Sequence, residues 1–177
     1  MGGADQERVW PALQKDDAEL EKDLFSLLES RVSEDPYSAD GSYAKSLEAL
    51  PAGLRAMAAT HWLDVSLAHD SITWHFGNFG EPGLVEATES GLTELDLFEL
   101  AACFREAKEL MMPLISSQTE APDDFDDFLA QNGASQQAEE LNERAWDLGS
   151  QKSDGKSLIY SAWVRYARLH PENVFEA

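Results

Sequence analysis

Apolar residues recur along most of this chain at the three- and four-residue spacing that is typical of amphipathic α-helices. The clearest example runs from about Pro51 to Ala68, where a rotation of about 100° per residue places six residues in one sector. These six residues are Leu54, Met57, Ala58, His61, Val65 and Ala68. No stretch shows the sustained two-residue alternation of a half-buried strand. The pattern therefore predicts an all-α fold, a single compact domain of about seven helices.

The N-terminal part of the chain is predicted to form a separate helix. Apolar residues at helical spacing cover residues 12–32, with acidic residues between them, and Pro36 follows. Because proline cannot continue the hydrogen-bond ladder, the helix is expected to end before it. We expect residues 1–40 to form this N-terminal amphipathic helix and a linker, docked on or extending an all-α domain at residues 41–177.

Glycine and proline also set the predicted ends of the later helices. Gly91 is expected to end a short helix, and Pro113 is expected to end the next one, whose buried face includes Leu100, Phe104 and Met111. An aromatic–glycine turn is expected at residues 74–80. The predicted helices after the N-terminal one cover residues 43–50, 51–68, 82–90, 93–112, 123–131, 135–148 and 156–169.

Composition narrows the class of protein. With 177 residues and 43% hydrophobic residues, the chain is large enough and apolar enough to bury a core. Its longest apolar runs are far shorter than the roughly 20 residues that cross a bilayer. The N-terminus lacks an apolar signal region, and Cys103 is the only cysteine, so an internal disulfide is impossible. We therefore expect a cytoplasmic protein that does not enter a membrane.

The strongest compositional feature is the negative charge. The formal net charge is −21, and residues 81–129 contribute −11 of it, with thirteen acidic and two basic residues. Coulomb repulsion disfavours direct binding to nucleic acid or to an anionic membrane, and it favours a basic partner. Solubility and adaptation to high salt are alternative explanations. The second of these predicts evenly spread acidic residues, which this chain does not have.

Within residues 81–129, carboxylates recur on successive helical turns. Such carboxylates stand about 5–6 Å apart, near the spacing of phosphates along a nucleic acid strand. Each row can equally be an ordinary solvated helix face, but their clustering in one segment favours an acidic partner-binding face. The residues predicted to form this acidic face are Glu86, Glu89, Glu94, Asp96, Glu99, Glu106, Glu109, Asp123, Asp124, Asp126 and Asp127.

A metal site is the main catalytic alternative. His61, His69 and His75, near Asp64 and Asp70, offer ligands that suit zinc or iron in a metal-dependent helical hydrolase. However, no spacing places two imidazoles on adjacent turns of one helix face. His61 lies in an apolar stripe, where a core histidine hydrogen-bonded to Asp64 is the simpler interpretation. We therefore expect no cofactor and no bound metal.

Other catalytic patterns are missing. No nucleophile motif of the G-x-S-x-G type is present, and carboxylates near Cys103 are expected to raise the pKa of its thiol. No strand precedes Gly77, Gly80 and Gly83 and no lysine follows them, so they are expected to allow close backbone packing and not to cradle phosphate. The sequence therefore predicts a non-enzymatic protein without catalytic residues.

Four segments of the chain carry a family resemblance. The segment WHFGNFG at residues 74–80, with residues 86–92 and 100–110, and the tail YARLHPENVF at residues 166–175 resemble a small bacterial family of acidic DNA-mimic proteins. That family is also catalogued as a domain of unknown function. The resemblance covers roughly residues 48–175. The residues that carry it are Trp74, Phe76, Asn78, Gly80, His170 and Pro171.

The resemblance implies an all-α domain that forms a homodimer and binds a basic DNA-binding protein through its acidic face. At Asp70-Ser71 the chain departs from the family pattern, which has a pair of glycines there. An acidic face would serve equally well in a toxin-neutralising partner protein, which is a second interpretation.

Overall fold

The computed structural model describes residues 10–118, 124–149 and 156–176. These residues form ten α-helices and no β-strand, which confirms the all-α prediction. A short 3-10 helix at Pro11–Gln14 precedes them. The helices are α1 (Asp17–Arg31), α2 (Ser42–Leu47), α3 (Ala52–His69), α4 (Ile72–Phe79), α5 (Pro82–Glu94), α6 (Phe98–Ser116), α7 (Phe125–Gln131), α8 (Ser135–Gly149), α9 (Leu158–Leu169) and α10 (Glu172–Phe175).

Helix α3 lies at the centre of the fold, in contact with α2, α4, α5, α8, α9 and α10. It buries residues around most of its circumference, including Ala59 and Leu63, which were not assigned to the predicted apolar face. Within that predicted face, Val65 and His61 are half-buried and Ala68 is exposed. The prediction of one buried stripe was wrong because helices surround α3, so it has no single solvent side.

The segment predicted as an aromatic–glycine turn is the helix α4. The Ser71 hydroxyl oxygen accepts a hydrogen bond from the backbone N–H of Trp74 at 3.1 Å and caps the helix N-terminus. Such caps stabilise a helix by about 1 kcal/mol. Ser71 stands at one of the two positions where the resembled family has glycines, and here it helps to start α4. The prediction of a turn was wrong because it relied on the glycines at residues 77 and 80, which do not prevent this helix from forming.

Helix α5 continues past Gly91 to Glu94, so the prediction that Gly91 ends it was wrong. A Cβ atom at Gly91 would lie 3.0 Å from the carbonyl oxygen of Ala56 on α3. Glycine is needed at this position because α5 packs closely against the α3 backbone, and not because the chain turns there. The change of direction comes at Asp96, which has a φ of 59°.

Helix α6 also differs from its prediction. It begins at Phe98 instead of Thr93 and runs through Pro113 to Ser116, four residues beyond the predicted end at Met112. Pro113 lies in the last turn, where only a short stretch of ladder remains to be disrupted. The predicted buried face is confirmed, since Leu100, Phe104 and Met111 are at most 1% exposed.

The N-terminal helix α1 packs against α9. Leu20 and Leu24 are fully buried in the common core. The guanidinium of Arg168 on α9 donates hydrogen bonds to Asp17 at 2.6 Å and to the carbonyl oxygens of Leu13 and Lys15 at 3.0 and 2.9 Å. Within the described residues, no helix combines the length and apolar character that crossing a membrane requires.

Candidate interaction surface

The predicted acidic face is distributed over two parts of the fold. Ten of its eleven residues are described, and Asp123 lies outside the described residues. All ten are exposed except Glu89, which is half-buried. Seven lie on α5, α6 and their connection: Glu86, Glu89, Glu94, Asp96, Glu99, Glu106 and Glu109. Asp124, Asp126 and Asp127 lie at the start of α7, which packs on α8.

Ion pairs within the chain engage part of the α5–α6 group. Arg105 Nε lies 2.6 Å from a Glu89 carboxylate oxygen, and Lys108 pairs with Glu89 and, at 3.3 Å, with Glu86. Partial burial opposes ionisation of Glu89, but the hydrogen bonds from Lys108 and Arg105 outweigh it and lower its pKa. Arg105 and Lys108, the two basic residues within residues 81–129, therefore both form ion pairs between α6 and α5.

Two more carboxylates of the predicted face have partners on other helices. Arg144 of α8 lies 2.8 Å from Glu106, and this hydrogen bond lowers the pKa of Glu106. The hydroxyl of Tyr166 donates a hydrogen bond to Glu94. Burial and this hydrogen bond together raise the pKa of Tyr166 to about 12. Glu94 and Glu106 thus contribute to helix packing as well as to surface charge.

The six remaining described carboxylates of the predicted face consist of one helix cap and five side chains without a described partner. Asp124 caps α7, because its side chain accepts a hydrogen bond from the backbone N–H of Asp127 at 2.9 Å. In the part of the chain that the structure describes, five side chains of the predicted face have neither an ion pair nor a hydrogen bond. They are Asp96, Glu99, Glu109, Asp126 and Asp127.

Asp126 lines a groove of about 450 Å³ beside α7 and α8. Three further carboxylates line it, those of Asp70, Glu139 and Glu143, and every ionisable side chain among its described lining residues is acidic. Leu129 contributes an apolar part of the lining. We call this feature the α7–α8 groove.

Trp146 borders the α7–α8 groove and is 62% exposed, one of four large hydrophobic side chains with high exposure among the described residues. Trp146, Glu139 and Glu143 were not predicted to belong to a binding surface, because residues 130–177 have a net charge of only −2. The signal that was available is the four-residue spacing of Glu139 and Glu143, which places both on one side of a helix.

The three histidines of the metal alternative lie in different surroundings. His61 is half-buried, His69 is exposed and His75 is fully buried. His61 Nδ1 lies 3.0 Å from the Tyr160 hydroxyl, so the predicted partner Asp64 was wrong. Asp64 instead accepts a hydrogen bond from Ser157. Among the described residues, no three His, Cys, Asp or Glu side chains converge to hold a metal ion.

His75 is enclosed by aromatic rings of the core. Its ring centroid lies 5.3 Å from that of Phe79 and 5.7 Å from that of Phe104. Ser66 Oγ donates a hydrogen bond to the Trp62 carbonyl oxygen at 2.7 Å and lies 2.9 Å from His75 Nδ1. Because the one hydroxyl hydrogen of Ser66 is already used, His75 Nδ1–H donates to the Ser66 oxygen. Burial lowers the pKa of His75 to about 3. His75 is thus a neutral core residue.

Cys103 is fully buried and lies 3.7 Å through Sγ from the Leu141 carbonyl oxygen. Its thiol pKa is raised, as predicted, but the cause is chiefly burial and only weakly the charge of Glu106. The sequence placed Cys103 between the buried and acidic faces of its helix, whereas the contact between α6 and α8 encloses it. A buried thiol with a raised pKa is a poor nucleophile.

The residues that carry the family resemblance hold the fold together. Phe76 is fully buried, with its ring centroid 4.9 Å from that of Phe104. Asn78 donates a side-chain hydrogen bond to the Trp74 carbonyl at 3.1 Å, and a Cβ at Gly80 would lie 2.3 Å from the Phe76 carbonyl oxygen. Gly80 is therefore required for close backbone packing, as predicted.

The tail of the resemblance is also structural. The His170 ring centroid lies 4.8 Å from that of Tyr166, and Pro171 precedes the first residue of α10. A Cβ at Gly53 would lie 2.4 Å from the Tyr166 ring. The tail thus packs α9 and α10 closely onto the start of α3.

These features define an all-α, strongly acidic protein with a neutral buried histidine and an unreactive thiol. The model of the DMP19-like protein family matches residues 48–168, about two thirds of the chain. The chain therefore belongs to the DMP19-like protein family. No curated protein and no solved structure gives a significant match to it. The matched residues span α3 to α9, and the N-terminal helix α1 lies outside them.

Proposed function

We propose that this protein is a non-enzymatic DNA mimic that binds a basic DNA-binding protein through its exposed carboxylates. Membership in the DMP19-like protein family supports the class of function. The observation that carries the proposal is the set of exposed carboxylates without partners among the described residues, together with the α7–α8 groove. Carboxylates that the chain itself does not neutralise remain available to lysine and arginine side chains of a partner.

The magnitude of the charge fits this role. Duplex DNA carries one charge per roughly 1.7 Å of its axis, so −21 corresponds to the charge on the order of ten base pairs. The ion pairs of Glu86, Glu89 and Glu106 reduce what the α5–α6 side can offer. We therefore assign the larger part of partner binding to the carboxylates that line the α7–α8 groove, which are Asp70, Asp126, Glu139 and Glu143.

Trp146 adds a second kind of contact to this groove. A guanidinium over a tryptophan face gains a cation–π attraction of about 0.5–1 kcal/mol at an exposed site. Carboxylates close to the same ring favour a cation over a neutral side chain. An arginine of the partner, seated between Trp146 and the Glu139–Glu143 pair, is the contact that this arrangement favours.

The first experiment is capture of DNA-binding proteins by the immobilised full chain at low and at high salt, with identification by mass spectrometry. Counterion-dominated binding weakens steeply as salt rises. Captured proteins should be basic, should be released by salt and should be displaced by duplex DNA. Absence of such proteins, or capture that neither salt nor DNA affects, would contradict the proposal.

A further inference from the structure

A pocket of about 220 Å³ opens between α1, α2 and α3. None of its lining residues belongs to the predicted acidic face or to the α7–α8 groove. Ligand pockets for drug-sized molecules measure roughly 300–1,000 Å³, so this one suits a small head group. The side chains on which the inference rests are Phe25, Tyr43, His61, Trp62, Glu29 and Glu34.

Three aromatic rings meet at steep angles along this pocket. The His61 centroid lies 5.6 Å from that of Phe25 at an interplanar angle of 77°, and 4.7 Å from that of Trp62 at 65°. Rings at such angles form adjoining walls instead of a stack. Aromatic walls of this kind attract organic cations, because each ring face carries partial negative charge.

Trp62 is fixed in place by hydrogen bonds. Its indole Nε1–H donates to the Tyr43 hydroxyl at 2.9 Å, and that hydroxyl donates to the Ala58 carbonyl at 3.2 Å. The indole ring also stacks on Phe79, with centroids 5.3 Å apart. The wall is therefore preorganised, which reduces the entropy lost when a ligand binds.

His61 adds no positive charge to the pocket. Burial lowers its pKa, so the ring is neutral at physiological pH. The Tyr160 hydroxyl lies 3.0 Å from His61 Nδ1, and this hydrogen bond helps to hold the ring in place.

The charges at the pocket are negative. Glu29 and Glu34 line it and are exposed, and the described structure contains no ion pair of either. No lysine or arginine is among the described residues that line the pocket. Two unneutralised carboxylates beside neutral aromatic walls complement a cation with an apolar surface.

We propose that this pocket binds an alkylated ammonium group, with Phe25, His61 and Trp62 around the cation and Glu29 and Glu34 balancing its charge. Two sources share this chemistry, a free small molecule such as choline and a trimethylated lysine side chain of another protein. The proposal does not depend on the DNA-mimic function, because it uses different residues.

The test is an NMR titration of the full chain with choline and with its neutral isostere 3,3-dimethylbutan-1-ol, following the Trp62 indole N–H. Choline should shift this signal saturably, and the isostere should bind about tenfold more weakly, because it lacks the charge. Equal affinity for the two ligands would show a merely apolar pocket and would overturn the proposal.

Two variants separate the charge contribution from folding. Glu29→Gln/Glu34→Gln changes exposed side chains only and should weaken choline binding severalfold. Glu19→Gln/Glu48→Gln removes the same charge from exposed positions outside the pocket lining and should leave choline binding within twofold of the parent. Equal losses in both variants would assign the effect to net charge and contradict the site.

A third arm distinguishes the two sources. A short peptide with one trimethyllysine is compared with the same peptide carrying unmodified lysine and with free choline. Tighter binding of the trimethylated peptide than of choline assigns the pocket to a protein side chain, and the reverse assigns it to a small molecule. If neither the trimethylated peptide nor choline binds, the proposal is overturned.

Discussion

Arg105 on α6 lies 2.6 Å from Glu89 on α5, so part of the acidic surface is neutralised by a cation of the same chain. On the α5–α6 side, arginine and lysine of the same chain neutralise Glu86, Glu89 and Glu106. Around α7 and α8, Asp126 and the neighbouring groove carboxylates have no cation among the described lining residues. Charge in the sequence and charge available to a partner are therefore different quantities.

The Glu89 ion pairs should contribute measurably to stability. Glu89→Gln should lower the free energy of unfolding by about 1 kcal/mol, because Glu89 and Lys108 are largely shielded from water. Since the folded pKa of Glu89 is depressed, this stability is present above its unfolded pKa and lost as pH falls through the folded value. Urea unfolding at pH 7 and pH 4 measures the difference, which should shrink at the lower pH.

His75 should add a second loss of stability at low pH, over a higher pH range than Glu89. Its pKa falls from 6.5 in the unfolded chain to about 3 in the fold, so only the unfolded chain takes up a proton between these values. Stability should therefore fall, by up to about 1.4 kcal/mol per pH unit from this group, as pH drops below 6.5.

His75→Phe tests this contribution, because Ser66 keeps its hydrogen bond to the Trp62 carbonyl. The free energy of unfolding of the variant should decline less steeply than that of the parent between pH 6.5 and pH 4. Parallel pH profiles of parent and variant would show that His75 is protonated in the fold.

Gly80 should not tolerate a side chain. Gly80→Ala places a Cβ 2.3 Å from the Phe76 carbonyl oxygen, and the backbone shift needed should cost about 1–3 kcal/mol. Ser90→Ala, at an exposed position of α5, should change stability by less than about 0.5 kcal/mol. Thermal unfolding of both variants compares them, and equal melting temperatures would contradict the packing role of Gly80.

Cys103 should react with thiol reagents only when the protein opens. Its side chain is buried and burial raises its pKa, so labelling with an aromatic disulfide should be slow in the native protein and complete in denaturant. The labelling rate should increase as urea approaches the unfolding transition. Rapid labelling without denaturant would show that the contact of α6 with α8 does not protect the thiol.

The fold class and most of the helices were predictable because helical periodicity is a local property. The face containing Leu100, Phe104 and Met111 was identified correctly from spacing alone. Gly91 and Pro113 misled the prediction because their effects depend on what lies around them. Gly91 serves the contact with Ala56 on α3, and Pro113 falls in a final turn where it does little harm.

The candidate surface was less predictable than the fold. Spacing identifies carboxylates on one side of a helix, but it does not show that Arg144 of α8 reaches Glu106 of α6. It also does not show that Asp70, after α3, joins Glu139 and Glu143 in one groove. Both relationships join residues distant in the sequence, so only the packed fold reveals them.

The proposed function requires binding of a basic partner by carboxylates that the chain leaves unpaired. The most direct measurement is the Kd for a captured DNA-binding protein over a series of salt concentrations. The parent is compared with Asp126→Asn/Glu139→Gln/Glu143→Gln in the α7–α8 groove. The control is Glu19→Gln/Glu48→Gln/Glu172→Gln, which removes the same charge from exposed positions outside the groove and outside the aromatic pocket.

The groove variant should lose about tenfold or more in affinity and have a shallower dependence of log Kd on log salt concentration, because fewer charge contacts form. The control should lose much less in both respects. Equal losses in the two variants, or an affinity that does not change with salt, would contradict the account.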